Sequence, residues 1–293
     1  MVKIETVGVV GCGLMGSGIA EVIARAGKQV IVREVEESAL EAGRKRIVTS
    51  LDRAVEREKL APEERERAWD RIRFTTRLEE LADRDLVIEA VIEELAVKNE
   101  VFGTLDRLAP EETIFATNTS SLPVTEMASR VQRPDRMVGL HFFNPVPVMK
   151  LVELVRTIET SDETYQRVLA FARSLGKEPV SSRDTSGFLV NLLLVPFVLD
   201  AIRQVERGMA SIEDIDTAMV LGLGHPMGPL TLCDFVGIDT FHRISEIMYE
   251  EYREVRYAPP PLLKRMVVMR RYGRKSGRGF YDYTGDEPVP IPI

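Results

Sequence analysis

Residues 4–34 read IETVGVVGCGLMGSGIAEVIARAGKQVIVRE, and their order decides the fold. The run IETVGVV at 4–10 has the length and β-branched content of a buried strand. GCGLMGSG follows, and apolar residues at helical spacing continue to Ala26, with Gly27 at a C-cap position. A second short run, QVIVRE at 29–34, reads as another strand. Strand, helix, strand is a βαβ unit and predicts a parallel sheet. Gly11, Gly13 and Gly16 satisfy G-x-G-x-x-G, with Leu14 and Met15 between the second and third glycine. The first glycine permits the tight turn, the second lets backbone approach a pyrophosphate, and the third lets helix and strand pack closely. The helix N-terminus attracts the phosphates. Glu34 lies 18 residues after Gly16 at the end of the second strand, where a carboxylate accepts hydrogen bonds from ribose hydroxyls. These features together point to a dinucleotide.

Outward from this unit, residues 36–60 are polar at helical spacing, and Pro62 opens a second helix at a favourable first position. The pair predicts a projecting helical hairpin over about residues 36–70. Strands follow at 71–76, 85–91, 113–117, 136–142, 148–156 and 178–182. After Ser186 the strand signals stop, and helices are expected at 187–207, 211–221, 229–252 and 262–272. The predicted fold class is α/β: a Rossmann-type dinucleotide-binding domain over 1–185, followed by an all-α C-terminal domain over 186–293.

Composition narrows the function. The chain has 293 residues, enough for about two domains, with 44% hydrophobic and 29% charged residues. Its net charge of −7 argues against nucleic acid or an anionic membrane as a partner. The longest apolar stretch, Phe188 to Leu199, contains Asn191 and Pro196 and is too short to span a bilayer. Two cysteines, Cys12 and Cys233, supply neither a disulfide framework nor a metal quartet, so no metal is expected and a reducing cytoplasm fits.

Of three histidines, His141 ends a predicted strand, and ligands in doubly wound folds gather at strand carboxyl ends. Histidine is also the commonest general base at neutral pH. In VMKLVELV, Met149, Leu151, Glu153 and Val155 alternate onto one face. An acid among apolar neighbours needs a partner, and a His–Glu pair would satisfy it and fix the imidazole tautomer. Asn191 interrupts FLV-N-LLLVPF, where it either bridges helices or faces a substrate. Asn118-Thr119-Ser120-Ser121 follows the TIFAT strand and either caps the next helix or binds substrate oxygen.

Taken together, GCGLMGSGIA, EAVIEELAVKNEVF, TNTSSLPV, GLHFFNPVPVMKLVELV, DTSGFLVN, GHPMGPLTLCDFVGID and KSGRGFYDY resemble the L-3-hydroxyacyl-CoA dehydrogenase family, close to its bacterial 3-hydroxybutyryl-CoA members, over nearly the whole chain. The resemblance implies NAD(H) as cofactor, an acyl-CoA substrate, a homodimer, and an active site in the cleft between the domains. It makes His141 the catalytic acid/base, Glu153 its partner, and Ser120 and Asn191 contacts to the reacting part of the substrate. Glu93, Lys98, Asn144 and Lys275 resemble cofactor contacts, and Ser50 and Arg57 of the hairpin stand where the family holds CoA. The chain departs from the family pattern at Glu34 (usually Asp), Arg57 (usually Lys), Ser186 (often Pro) and Leu192 (often Arg). Two other activities share the frame: dehydrogenation of a free hydroxy acid, as in gulonate-type relatives, and non-catalytic dinucleotide binding, as in crystallin-like ones. FFNP after His141 and the Ser50/Arg57 hairpin argue against the first, and the intact His141, Glu153, Ser120 and Asn191 set against the second.

Overall fold

The computed structural model describes residues 3–292. The chain divides into two units after Phe188. The first unit runs β1 (Thr6–Val10), α1 (Leu14–Arg25), β2 (Gln29–Arg33), α2 (Glu37–Glu56), α3 (Pro62–Trp69), β3 (Ile72–Thr75), β4 (Leu86–Glu89), α4 (Leu95–Leu108), β5 (Ile114–Thr117), α5 (Val124–Ala128), β6 (Met137–Phe142), β7 (Leu151–Arg156), α6 (Asp162–Ser174) and β8 (Glu178–Arg183). Its eight strands pair in the order β3-β2-β1-β4-β5-β6-β7-β8. β1, β4, β5 and β6 are almost wholly buried, which is why they read as continuous apolar runs.

The sheet is not parallel throughout. β7 runs antiparallel to β6 and pairs in parallel with β8, so the last two strands oppose the rest. The reversal has a local cause: Pro145 to Lys150 form a short turn between β6 and β7, too short for a crossover helix. It places residue 141 directly opposite residue 153.

α2 buries only Leu40, Gly43, Ile47 and Leu51, one stripe at three- and four-residue spacing, and leaves its other face to solvent. At Gly43 this helix meets the glycine turn so closely that a Cβ would lie 1.9 Å from Cys12 Sγ.

The second unit comprises α7 (Val190–Glu206), α8 (Ile212–Leu223), α9 (Pro229–Val236), α10 (Ile238–Tyr252) and α11 (Pro261–Val268). The single helix expected over 229–252 is two, separated at Gly237, whose φ of +104° no helix accommodates. Strands do not end at Ser186: β9 (Tyr281–Asp282) and β10 (Val289–Pro290) form one short antiparallel ribbon. Val195, Val198, Leu199 and Ile202 of α7 pack with Phe241 and Met248 of α10 and Leu263 of α11. Two buried aspartates tie this core together. Asp216 accepts from the first backbone amides of α9, at Leu230 and Thr231, and Asp234 accepts from Phe280 and Tyr281. Among the described residues no helix is long and apolar enough to cross a membrane.

Candidate active site

The glycine turn has the form a pyrophosphate requires. Gly11 has φ +100°, and a Cβ there would meet the Ala90 carbonyl oxygen at 2.5 Å. A Cβ on Gly16 would lie 1.9 Å from the Gly11 oxygen, so only glycine lets α1 begin here. At Gly13 the space beyond the backbone is open, and a side chain would occupy ground that phosphate oxygens need. The donor set, backbone N–H groups at the start of a twelve-residue helix, suits an anion. Burial pushes the Cys12 thiol pKa up, which leaves it a protonated packing group.

Glu34 closes over this turn. Its Oε2 accepts from the Cys12 amide at 2.9 Å and its Oε1 from the Val35 amide at 2.8 Å. Arg33 turns away and donates through Nε to the Thr76 carbonyl at 3.3 Å. The carboxylate, not the guanidinium, therefore borders the turn. The expected result is a kcat/KM with NADH about 10- to 100-fold above that with NADPH on the same acyl-CoA, since the 2′-phosphate loses a hydrogen bond and meets a like charge. Equal or better turnover with NADPH would assign the site to Arg33.

At the carboxyl end of β6, His141 Nδ1 lies 2.7 Å from Glu153 Oε2. The ring is 6% exposed and the carboxylate fully buried. Phe143 and Phe188 flank the imidazole, with ring centroids at 4.5 and 5.8 Å. Glu153 engages Nδ1, so Nε2 is the ring nitrogen left to face a substrate.

The 118–121 segment does not cap the following helix. Asp184 does: it accepts from the backbone amides of Val124 and Thr125 at 2.8 and 2.5 Å. Asn118 Oδ1 instead accepts from the Phe142 amide, tying this segment to the residue after His141. Glu93 gathers the rest. Its Oε1 accepts from the Thr119 hydroxyl, from the Ser120 amide at 3.1 Å and from the Ser121 hydroxyl at 3.2 Å. Ser186 donates its hydroxyl to the Ser121 carbonyl at 2.8 Å.

Glu93 and Lys98 belong to an internal network. Lys98, 1% exposed, places Nζ 2.7 Å from Glu89 and 3.2 Å from Glu93. Burial raises the Glu89 pKa. For Glu93 burial acts the same way, but the Lys98 charge and the Thr119 and Ser120 hydrogen bonds outweigh it and hold the carboxyl below its usual range. Of this network, Glu89 is not singled out by the sequence reading, and Thr119 and Ser121 enter it only as neighbours of Ser120. A glutamate inside the apolar strand LVIE was the one available signal.

A groove of about 760 Å³ runs between α1, α2 and the Asn144–Val148 loop. Ser50, Arg57, Leu14 and Asn144 all line it. Six cations, Arg25, Lys45, Arg46, Arg53, Arg57 and Lys59, face one acid, Glu21, in a chain whose net charge is negative. That imbalance suits a polyphosphate. Glu21 is 1% exposed and accepts from the Arg25 guanidinium at 3.2 Å. In the second unit Asn191 sits half-buried in the first turn of α7, and Lys275 pairs with Asp239 at 2.6 Å.

A glycine-turn dinucleotide site, a His–Glu pair at a strand end and a cationic groove define an NAD-dependent dehydrogenase of a phosphorylated substrate. The NAD-binding domain of 3-hydroxyacyl-CoA dehydrogenase matches residues 6–185, and the C-terminal domain of the same enzyme matches 187–283. The chain belongs to the 3-hydroxyacyl-CoA dehydrogenase family. It is 55% identical over 282 residues to a 3-hydroxybutyryl-CoA dehydrogenase of Mycobacterium tuberculosis, covering 96% of this chain and 99% of that one. It is 46% identical over 287 residues to human mitochondrial hydroxyacyl-coenzyme A dehydrogenase, covering 96% and 91%. Among solved structures, M. tuberculosis FadB2 matches with a TM-score of 0.95 at 54% identity, covering 97% of this chain and 100% of that one. The (S)-3-hydroxybutyryl-CoA dehydrogenase of Ralstonia eutropha matches at 0.93 and 41%, with the same coverage.

Proposed function

We propose that this protein interconverts L-3-hydroxybutyryl-CoA and acetoacetyl-CoA with His141 as acid/base. The observation that carries the reading is the buried 2.7 Å contact between His141 and Glu153. In oxidation, Nε2 of His141 takes the proton of the 3-hydroxyl group, and Glu153, holding Nδ1–H, stabilises the imidazolium so formed. In reduction the imidazolium returns that proton to the developing alkoxide. Bound nicotinamide supplies or accepts the hydride. Ser120, its backbone anchored by Glu93, and Asn191 orient the substrate oxygen, and Gly11, Gly13, Leu14, Met15, Gly16, Glu34, Asn144 and Lys275 hold the cofactor. Glu93 and Lys98 contribute by shaping the Ser120 segment. The test is a panel of 3-oxoacyl-CoA chain lengths with NADH. Acetoacetyl-CoA should have the highest kcat/KM, and a maximum at a long chain would overturn the short-chain assignment.

Ser50 and Arg57 hold CoA in the groove. Arg57→Ala should raise KM for acetoacetyl-CoA about three- to tenfold with kcat held, because a remote phosphate contact made equally in ground and transition states is uniform binding. Steady-state kinetics at low ionic strength checks this, and an unchanged KM would leave Arg57 a solvated helix-end charge.

The protein acts as a homodimer through its second unit. The apolar faces of α7 and α11 are largely spent on their own core, but Leu193, Leu221, Leu223, Val268 and Met269 remain exposed. Light scattering should give twice the chain mass, and a concentration-independent monomer would refute the dimer. Two unpaired buried cysteines fit a reducing cytoplasm.

A further inference from the structure

We infer that Lys177 is a positioning residue: from outside the acyl-CoA groove it holds the turn at residues 143–150 in place as a wall of that groove, without touching the substrate. The inference rests on the acyl-CoA reading of the groove given above. The turn connects β6 to β7, so it joins the strand of His141 to the strand of Glu153. Asn144, Pro145, Val146, Pro147 and Val148 line the acyl-CoA groove. Pro147 and Val148 also line a second groove of about 730 Å³, with Met149, Lys150 and Lys177. The turn is therefore a ridge shared by two grooves, and Lys177 borders only the second. A turn of this kind must place its carbonyls somewhere. That of Pro145 accepts from the Val148 and Met149 amides at 2.9 and 3.0 Å, and that of Lys150 from the Glu178 amide at 2.8 Å. Those of Val146 and Met149 accept from Lys177, whose Nζ donates to them at 2.5 and 2.7 Å. Both bonds are charge-assisted, from a residue 6% exposed. Burial and the neighbouring Arg25 charge push the Lys177 pKa down, and Glu21 acts against that. Lys177 directly precedes β8, whose Glu178 stands opposite Leu151 of β7, so the sheet fixes the lysine and the lysine fixes the turn. From α1, Gly18 bears on the same ridge: a Cβ there would lie 2.9 Å from Val146 Cβ and 3.1 Å from its Cγ2.

Lys177→Met keeps the bulk of the side chain and removes both donors, which frees the ridge to shift. It should raise KM for acetoacetyl-CoA about five- to thirtyfold, with kcat within about twofold of wild type. On acetoacetyl-N-acetylcysteamine, which lacks the nucleotide and most of the arm that lie along the groove, kcat/KM should stay within about twofold of wild type. General damage to the fold would lower both substrates alike, and that result would overturn the inference. Ionic strength separates a brace from a distant attraction. A buried hydrogen-bonded clamp keeps the same ratio of variant to wild-type KM in low and high salt, whereas attraction of phosphates through solvent is screened. Collapse of the ratio in high salt would overturn the inference, as would an unchanged KM. Gly18→Ala presses on the ridge without deleting a polar group, and it keeps the test available if Lys177→Met does not fold. It should also raise KM for acetoacetyl-CoA with kcat held, and an unchanged KM there would count against the ridge in the same way. The double variant should be less than multiplicative, because a ridge released by Lys177→Met yields to the added methyl, and fully multiplicative effects would overturn the shared route. Absence of wild-type turnover on both thioesters would instead remove the proposed function beneath it.

Discussion

His141→Gln is expected to lower kcat by about 10²- to 10⁴-fold while leaving NADH affinity within about twofold of wild type. The asymmetry follows from geometry. His141 stands at the carboxyl end of β6, paired with Glu153, and the phosphate-binding turn stands at the end of β1, with β4 and β5 between them. Glutamine fills similar space but can neither accept nor return a full proton. Glu153→Gln should fall in the same class, because a neutral partner in a buried position cannot stabilise the imidazolium. Steady-state kinetics on acetoacetyl-CoA, with NADH binding followed by fluorescence, separates the two quantities. Retention of more than about half the wild-type kcat in either variant would place the acid/base elsewhere.

Lys98→Met is expected to cost about 3–5 kcal/mol of stability, the second-largest effect. Lys98 lies between Glu89 and Glu93, and its removal leaves the fully buried Glu89 and the partly exposed Glu93 without a counter-charge. The sign of the pH dependence is determined. In the variant both folded-state pKa values rise above their unfolded values, so the folded state is favoured at low pH and loses ground as pH rises through the raised values. The deficit relative to wild type should be largest near neutrality and should shrink on acidification toward the ordinary glutamate range. Urea denaturation across that range measures it. Activity should fall as well, because Glu93 carries the Ser120 amide. A neutral-pH loss below about 1 kcal/mol would show that the network does not depend on the lysine charge.

The parts legible in the sequence are those written in local pattern. Gly11, Gly13 and Gly16 sit between a strand run and a helix run, and steric limits leave few other uses for glycines so spaced. His141 and Glu153 were joined by alternation alone, because an acid on an apolar face demands a partner. What pattern does not carry is direction and distance in sequence. β7 would read identically in either direction, since a buried strand is apolar whichever way it runs. The cap of α5 comes from Asp184, 60 positions from the amide it serves, so the nearby Thr and Ser hydroxyls offered the wrong partner. Gly237 breaks a helical pattern whose flanks are continuous in period, and only its positive φ shows the break. Glu21 reads as half of an ordinary i, i+4 pair with Arg25. That it lines the same groove as Ser50 is visible only once α1 and α2 pack together.

The most direct test of the account compares NADH consumption by the purified protein on acetoacetyl-CoA and on free acetoacetate at equal concentration. The cationic groove and the His141–Glu153 pair predict rapid turnover of the thioester and a kcat/KM on the free acid lower by several orders of magnitude. A rate on acetoacetate equal to or above that on acetoacetyl-CoA, or NADH binding without turnover of either, would contradict it.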